Sequence, residues 1–307
     1  MQLENFPLSG GEASHRAPPK PRSPQGSLEG VPRHWFGGNM VATHIANGVN
    51  LLFPAGERFF VRSVKHYLDR IDDSPSMVRG SAPDTPENSR PAPLRSASLG
   101  ARVRGFFGQE GRHAKEHDIF NRILQEQGYD VDRFLVLYER IAYGLIERTT
   151  PPHLRLAATA ACEHFTAILA ENALRMRFLD VADSRMRALL LWHAAEEIEH
   201  RDVAYDVLMA IDPRYSTRVI GLAIGATCLA GFWLAGTLHL LEQERKKDGL
   251  GAIRKHLADL QSHRRTFGKR KPVFVTGIRE YLRRDFHPSK NQIDDLARDY
   301  LAQAGIT

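Results

Sequence analysis

The 307-residue sequence predicts an all-α helical bundle, on three observations. From residue 99 onward apolar residues recur every three or four positions, and strand-like alternation is scarce. The breaks between the periodic stretches fall at helix-stopping residues: Gly128, residues 149–152, residues 181–183 and Pro213. Hydrophobic residues make up 42% and charged residues 25% of the chain, a globular balance that supplies the core of one large domain.

Taken in order, residues 1–33 are rich in Pro, Gly, Ser and charge and predict a disordered tail that is dispensable for the rest. No apolar run follows the first residues, so no signal peptide is expected. The helical domain is expected over 34–287. A first helix is read over 44–70, followed by a long flexible loop over 72–98 that is rich in Pro and Ser. Helices are then expected near 101–127, 132–148, 152–178, 183–210, 216–246, 250–264, 272–284 and 290–304. The last lies in a C-terminal helical segment, 288–307.

The stretch 219–241 (VIGLAIGATCLAGFWLAGTLHLL) carries no Asp, Glu, Lys or Arg and is long enough to cross a bilayer. Gly221 and Gly225 have the spacing that lets helices pack closely in membranes. Two readings stay open: a helix buried in protein, for instance at a homo-oligomer interface, or one that enters a membrane. A single span would export the preceding domain by the positive-inside rule, because more cations follow the segment than precede it. A cytoplasmic protein is expected, with membrane association through 219–241 as the alternative.

The formal net charge is +6, with basic runs at 245–247 and 263–271. Such runs can meet anionic surfaces but are more often solvated loops. The two cysteines, Cys162 and Cys228, form no CxxC pair, which excludes a thiolate zinc site or a disulfide framework. A Gly-rich phosphate loop, His-Glu-x-x-His, Gly-x-Ser-x-Gly and nucleic-acid-binding modules are all absent. Phe59, Phe60 and Tyr67 read as core aromatics.

Two expected helices carry Glu-x-x-His: Glu110 with His113, and Glu197 with His200. At i and i+3 both side chains leave one helix face and can reach one metal. Two other helices each place a lone Glu in an apolar or small-residue stretch: Glu57 and Glu163. One Glu-x-x-His is weak evidence, since Glu12 and His15 in the tail also match. Two copies with two lone Glu, in this order, form the ligand recipe of binuclear carboxylate bundles and predict a ferritin-like four-helix bundle with additional C-terminal helices. Four carboxylates offset two divalent ions and the imidazoles suit iron, with manganese and zinc as alternatives.

His193, Glu197 and His200 fall within an arc of about 60° on one helix, so His193 is a seventh candidate ligand; its alternative is a hydrogen-bonded core histidine. Glu196 lies near the edge of that arc, Glu199 faces away from it, and His117 shares the face of Glu110. Glu196 and His117 are candidates for proton transfer or for supporting the ligands.

The stretches NGVNLLFPAGERFF, FFGQEGRHAKEHDIFN, ACEHFTAILAE, LLLWHAAEEIEHRDVAYDVL and YLRRDFHPS resemble a bacterial family of predicted metal-dependent hydrolases. That resemblance implies hydrolysis. The ligand pattern also resembles the di-iron arylamine N-oxygenases, which carry an extra histidine four residues before the last Glu, the position of His193. The function expected from the ligand set is a di-iron oxidoreductase that activates dioxygen on a small organic substrate with an external electron donor. In it Glu163 or Glu57 would bridge or shift. The alternatives are a hydrolase using a metal-activated water, with His117 or Glu196 moving the proton, and a non-catalytic metal-binding bundle.

Overall fold

The computed structural model describes residues 16–72, 98–263 and 272–306. Among these the chain is helical, and the only strand-like pairing is one isolated bridge between Phe36 and Ala182. The tail residues 1–15 and most of the 72–98 loop lie outside the described residues, as does most of the basic run 263–271.

The expected 44–70 helix is three helices: α1 (Met40–Asn50), α2 (Phe53–Lys65) and α3 (Leu68–Asp72). Asn39 caps α1, its side chain accepting from the Ala42 amide. Pro54, which has no N–H to donate, stands in the first turn of α2 and enforces the break that the apolar periodicity hides. Helix α4 (Leu99–Glu126) is capped by Ser98. Then come α5 (Asp132–Ile141), a π-helical turn (Ala142–Ile146) and the short α6 (Glu147–Thr149). Pro152 opens α7 (Pro152–Arg175), and Asp183 caps α8 (Ser184–His200).

The expected 183–210 helix breaks after His200, and α9 (Val203–Ile211) follows. Two ion pairs hold that break: the buried Asp202 meets Arg102 at 2.6 Å, and the buried Arg201 reaches the half-exposed Asp294 at 2.8 Å. Helix α10 (Tyr215–His263) joins two expected helices through a kink at Gly249, whose φ of 80° suits glycine. Helices α11 (Val273–Tyr281) and α12 (Asp294–Gln303) complete the chain.

Four helices form a ring in which each touches the next: α2 with α4, α4 with α8, α8 with α7, and α7 with α2. Helix α7 is covered on nearly all sides, because α9, α10 and α11 pack against it as well. Gly221 and Gly225 let α10 approach α7 at Ala157 and Ala158, where a Cβ on Gly221 would strike the α7 backbone. Their small-residue spacing therefore serves packing within the chain.

The opposite face of α10 is bare, with Ile220 47%, Leu234 59% and Leu238 55% exposed. Tyr215–Gln261 is long and apolar enough to cross a membrane by length and composition.

The composition of residues 16–33 predicts disorder, but these residues lie as a strap along α4 and α8. Pro19 and Pro21 rest on Gly105 and Gly108, where no side chain has room. Arg16 pairs with Asp294 at 2.7 Å, and Arg22 with Glu199 at 2.7 Å. Proline-rich sequence cannot make its own core, but its low chain entropy and its arginines suit docking onto a finished bundle.

Candidate metal centre

The four helices of the ring bring all seven predicted ligands to one place. Glu57 comes from α2, Glu110 and His113 from α4, Glu163 from α7, and His193, Glu197 and His200 from α8. None is more than 5% exposed. His200 Nε2 lies 3.1 Å from Glu110, 3.3 Å from Glu163 and 3.4 Å from Glu197. His113 Nδ1 lies 3.6 Å from Glu197 and 3.8 Å from Glu110. His193 Nε2 lies 2.9 Å from Glu197 and 3.7 Å from Glu57. Glu110 and Glu197 thus sit between the imidazoles of the two Glu-x-x-His pairs, with Glu163 at one end and Glu57 at the other. Glu57 and Glu163, expected to bridge or shift, stand at the two ends of this array.

Both carboxylate oxygens of Glu57, Glu110 and Glu163, together with Glu197 Oε2, His113 Nδ1 and His200 Nε2, are buried without a hydrogen bond of acceptable geometry. Buried polar atoms are normally satisfied, and leaving one orphaned costs about 1–3 kcal/mol. A cluster of orphans that are all metal-ligating atoms fits cations held between them. Ligand atoms lie within 4.8 Å of one another in three groups at the centre: Glu110, Glu163 and His200; His113, His193 and Glu197; and Glu57, His117 and His193, the last two sharing His193.

The outer nitrogens of the imidazoles fix which atoms face inward. Gln109 donates through Nε2 to Glu199 and to the Lys20 carbonyl, so its Oε1 accepts from His200 Nδ1 at 2.8 Å. His200 Nε2 is then left with its lone pair toward the carboxylates. Asn50 donates to Asn121, so Asn50 Oδ1 accepts from His117 Nδ1. His117 Nε2 must in turn accept from His193 Nδ1, 2.6 Å away. His193 Nε2 faces Glu197 Oε1 at 2.9 Å, and in the neutral imidazole with its proton on Nδ1 this nitrogen carries the lone pair that would meet a cation. His113 Nε2 is held by Glu196 at 3.0 Å. Such outer hydrogen bonds orient metal-binding histidines and set their basicity.

Without a metal, burial opposes charge on His200, but Glu197 and Glu163 outweigh it and push the imidazole well above its usual range, so a cation bound there would take the place of that proton. Burial, with the neighbouring carboxylates, pushes Glu57 and Glu110 well above the usual range. Burial lifts Glu163 to about 7 despite His200. Burial also acts on Glu197, but His200 and His193 outweigh it and hold that carboxyl low. Burial keeps His113 and His117 neutral, the form in which imidazole ligates. Glu196, raised to about 8 by burial against the pull of Arg22, bonds His113 and the Arg22 amide instead of facing an open space.

The sequence reading missed Gln109, Asn50, Asn121 and Arg22, and it turned Glu199 away although Glu199 anchors Gln109 and Arg22. Only a polar residue on an otherwise buried face, as in IANGVN, hinted at Asn50.

A second cluster also escaped notice: His34 and His44 meet Glu244 Oε1 at 2.9 and 3.0 Å. Tyr129 and Arg33 donate to the same oxygen. Burial opposes ionisation there, but these donors hold Glu244 far below the usual carboxylate range. The guanidinium already supplies the positive charge.

The sequence matches the family described as predicted metal-dependent hydrolases over residues 20–78 and 89–292. The chain belongs to that family. The match spans all seven converging side chains and the strap from Lys20 onward. No curated protein and no solved structure gives a match. Family membership makes the chain a metal-dependent enzyme.

Proposed function

We propose that Glu57, Glu110, His113, Glu163, His193, Glu197 and His200 hold two metal ions, iron by the chemistry of the donor set. The reaction proposed is oxidation of a small organic substrate by dioxygen. The observation that carries the metal assignment is the cluster of orphaned ligand atoms between four helices. When bound, two iron ions supply the redox chemistry, and the chain supplies geometry and a dry site.

Glu110 and Glu197 neutralise charge between the two positions, while Glu57 and Glu163 close the ends. Gln109, Glu196 and His117 hold the three imidazoles with their lone pairs inward. The proton on His193 Nδ1 leads along a chain through His117 to Asn50, the one hydrogen-bonded path from the centre that has an imidazole as its relay.

Oxidation is favoured over hydrolysis because the space beside Glu57 is mostly apolar and, Glu57 itself being assigned to the metals, its remaining acidic and basic groups are paired with one another. Hydrolysis is the second reading, supported by the family description. A cytoplasmic setting with a soluble electron donor suits the first reading.

Metal analysis of purified protein, joined to an optical spectrum and to oxygen uptake with a chemical reductant, separates the two. A yellow or brown iron protein that consumes oxygen supports oxidation. A colourless zinc or manganese protein that cleaves esters without oxygen supports hydrolysis.

A further inference from the structure

An apolar cavity of about 110 Å³ runs up to Glu57 between α2, the π-helical turn, α7 and α10. Its wall holds several polar groups, most of them already hydrogen-bonded or ion-paired. Tyr138 and Tyr143 hydrogen-bond each other through their hydroxyls, and burial keeps both phenols protonated. Thr166 donates to the Glu163 carbonyl and Thr150 to the Ile146 carbonyl. Glu147, with Arg155 beside it, is held by Arg62 at 2.8 Å. Burial keeps the thiols of Cys162 and Cys228 protonated, and they join the apolar wall.

The unsatisfied polar atoms facing this space are the two oxygens of Glu57, at the end nearest the centre. The charged groups on the wall, Glu147 and Arg155, lie 3.9 Å from each other, so a charged occupant would have to displace one of them or lose its hydration unpaired, a penalty of several kcal/mol. A hydrocarbon or aromatic molecule gains by burial, and a cavity of this order holds a single ring. The Phe53 ring stacks within 4.7 Å of His117 and of His193 and also lines this cavity. It stands between that histidine pair and this cavity, so an occupant of this cavity approaches from the Glu57 side, while a separate cavity of about 150 Å³ lies against His193 and Glu197.

We infer that this cavity is the substrate chamber of the centre and that it takes a small, uncharged, hydrocarbon-rich molecule, of the size of a single aromatic ring. The inference rests on the binuclear metal reading for its meaning, but not for its test.

Toluene is the probe, with benzoate and anilinium as charged counterparts of equal size. Binding is read by ligand-observed NMR on the full chain, with and without metal. Two variants fill the chamber. Gly56→Leu adds a side chain where a Cβ meets nothing closer than 3.9 Å. Cys228→Phe enlarges a wall residue of α10, away from the ligands, and serves if the first does not fold.

The expected result is toluene binding that both plugs weaken by roughly tenfold or more, with neither ion binding and the metal content unchanged. Benzoate or anilinium binding as well as toluene, or toluene binding that neither plug weakens, overturns the inference. Folded protein that takes up no metal on supplementation yet binds toluene in a plug-sensitive way supports the chamber and overturns the metal reading.

Discussion

His193 is the proposed ligand whose role most needs a direct test, since it is hydrogen-bonded to His117 and Glu197. Helical spacing placed it on the arc of Glu197 and His200 but left a core histidine open as the alternative. The chain from Asn121 through Asn50 and His117 fixes its proton on Nδ1 and turns Nε2 toward Glu197 and Glu57. His193→Gln is therefore expected to keep the fold and at least one metal ion while changing the metal's optical spectrum. Glu197→Gln, which removes a central carboxylate, should lose more metal. Unchanged spectrum and stoichiometry in His193→Gln would return it to the core.

Glu163 carries a pH prediction. Its carboxyl stands at about 7 in the metal-free fold, against about 4.3 in an unfolded chain. Between those values the unfolded chain has released a proton that the folded one still holds, so metal-free stability falls as pH rises through this window. A bound cation removes the need for that proton. The gain in Tm on adding metal should thus be larger near pH 7.5 than near pH 5, by differential scanning calorimetry. A gain that shrinks with rising pH contradicts the assignment of Glu163.

At the scale of elements, the residues legible from sequence were those with a period. Both Glu-x-x-His pairs and the lone Glu57 and Glu163 lie on helices read from apolar spacing, and the structure gathers them as that spacing implies. The parts that were not legible depend on contacts between distant segments. Gln109 supports His200 only because Lys20 and Glu199 fix its amide, and these residues come from three different elements. The break after His200 is held by Arg102 and Asp294, each roughly a hundred positions away. Composition misled at 16–33, since it measures what a segment can bury alone and not what it can dock against.

The strap is accordingly expected to matter to the centre. Deleting residues 1–24 should weaken metal binding by about 10–100-fold, because Glu196, Glu199 and Gln109 all lose partners. Arg22→Ala should show a smaller loss in the same chelator competition. Equal affinity in the deletion variant and the full chain would mean that the strap only covers the bundle.

Across the whole molecule, one ring of helices makes the centre and the long α10 closes one side of it. That helix spends its glycine face on α7 and leaves an apolar stripe in solvent, continued by Val136, Leu137 and Leu145. We propose this stripe as a contact surface for a second copy or for lipid, because contiguous exposed apolar surface favours association. Leu234→Glu combined with Leu238→Glu should reduce self-association in light scattering, or retention with membranes on fractionation, without changing metal content. If the wild-type chain is already monomeric and free of membranes, the stripe has no partner.

The central claim is that seven side chains from four helices hold two ions, and elemental analysis of folded, metal-supplemented protein tests it most directly. About two transition-metal ions per chain are expected, with at most one remaining in Glu110→Ala combined with Glu197→Ala. Folded protein that carries no metal after supplementation, or a double variant that keeps both ions, would contradict it.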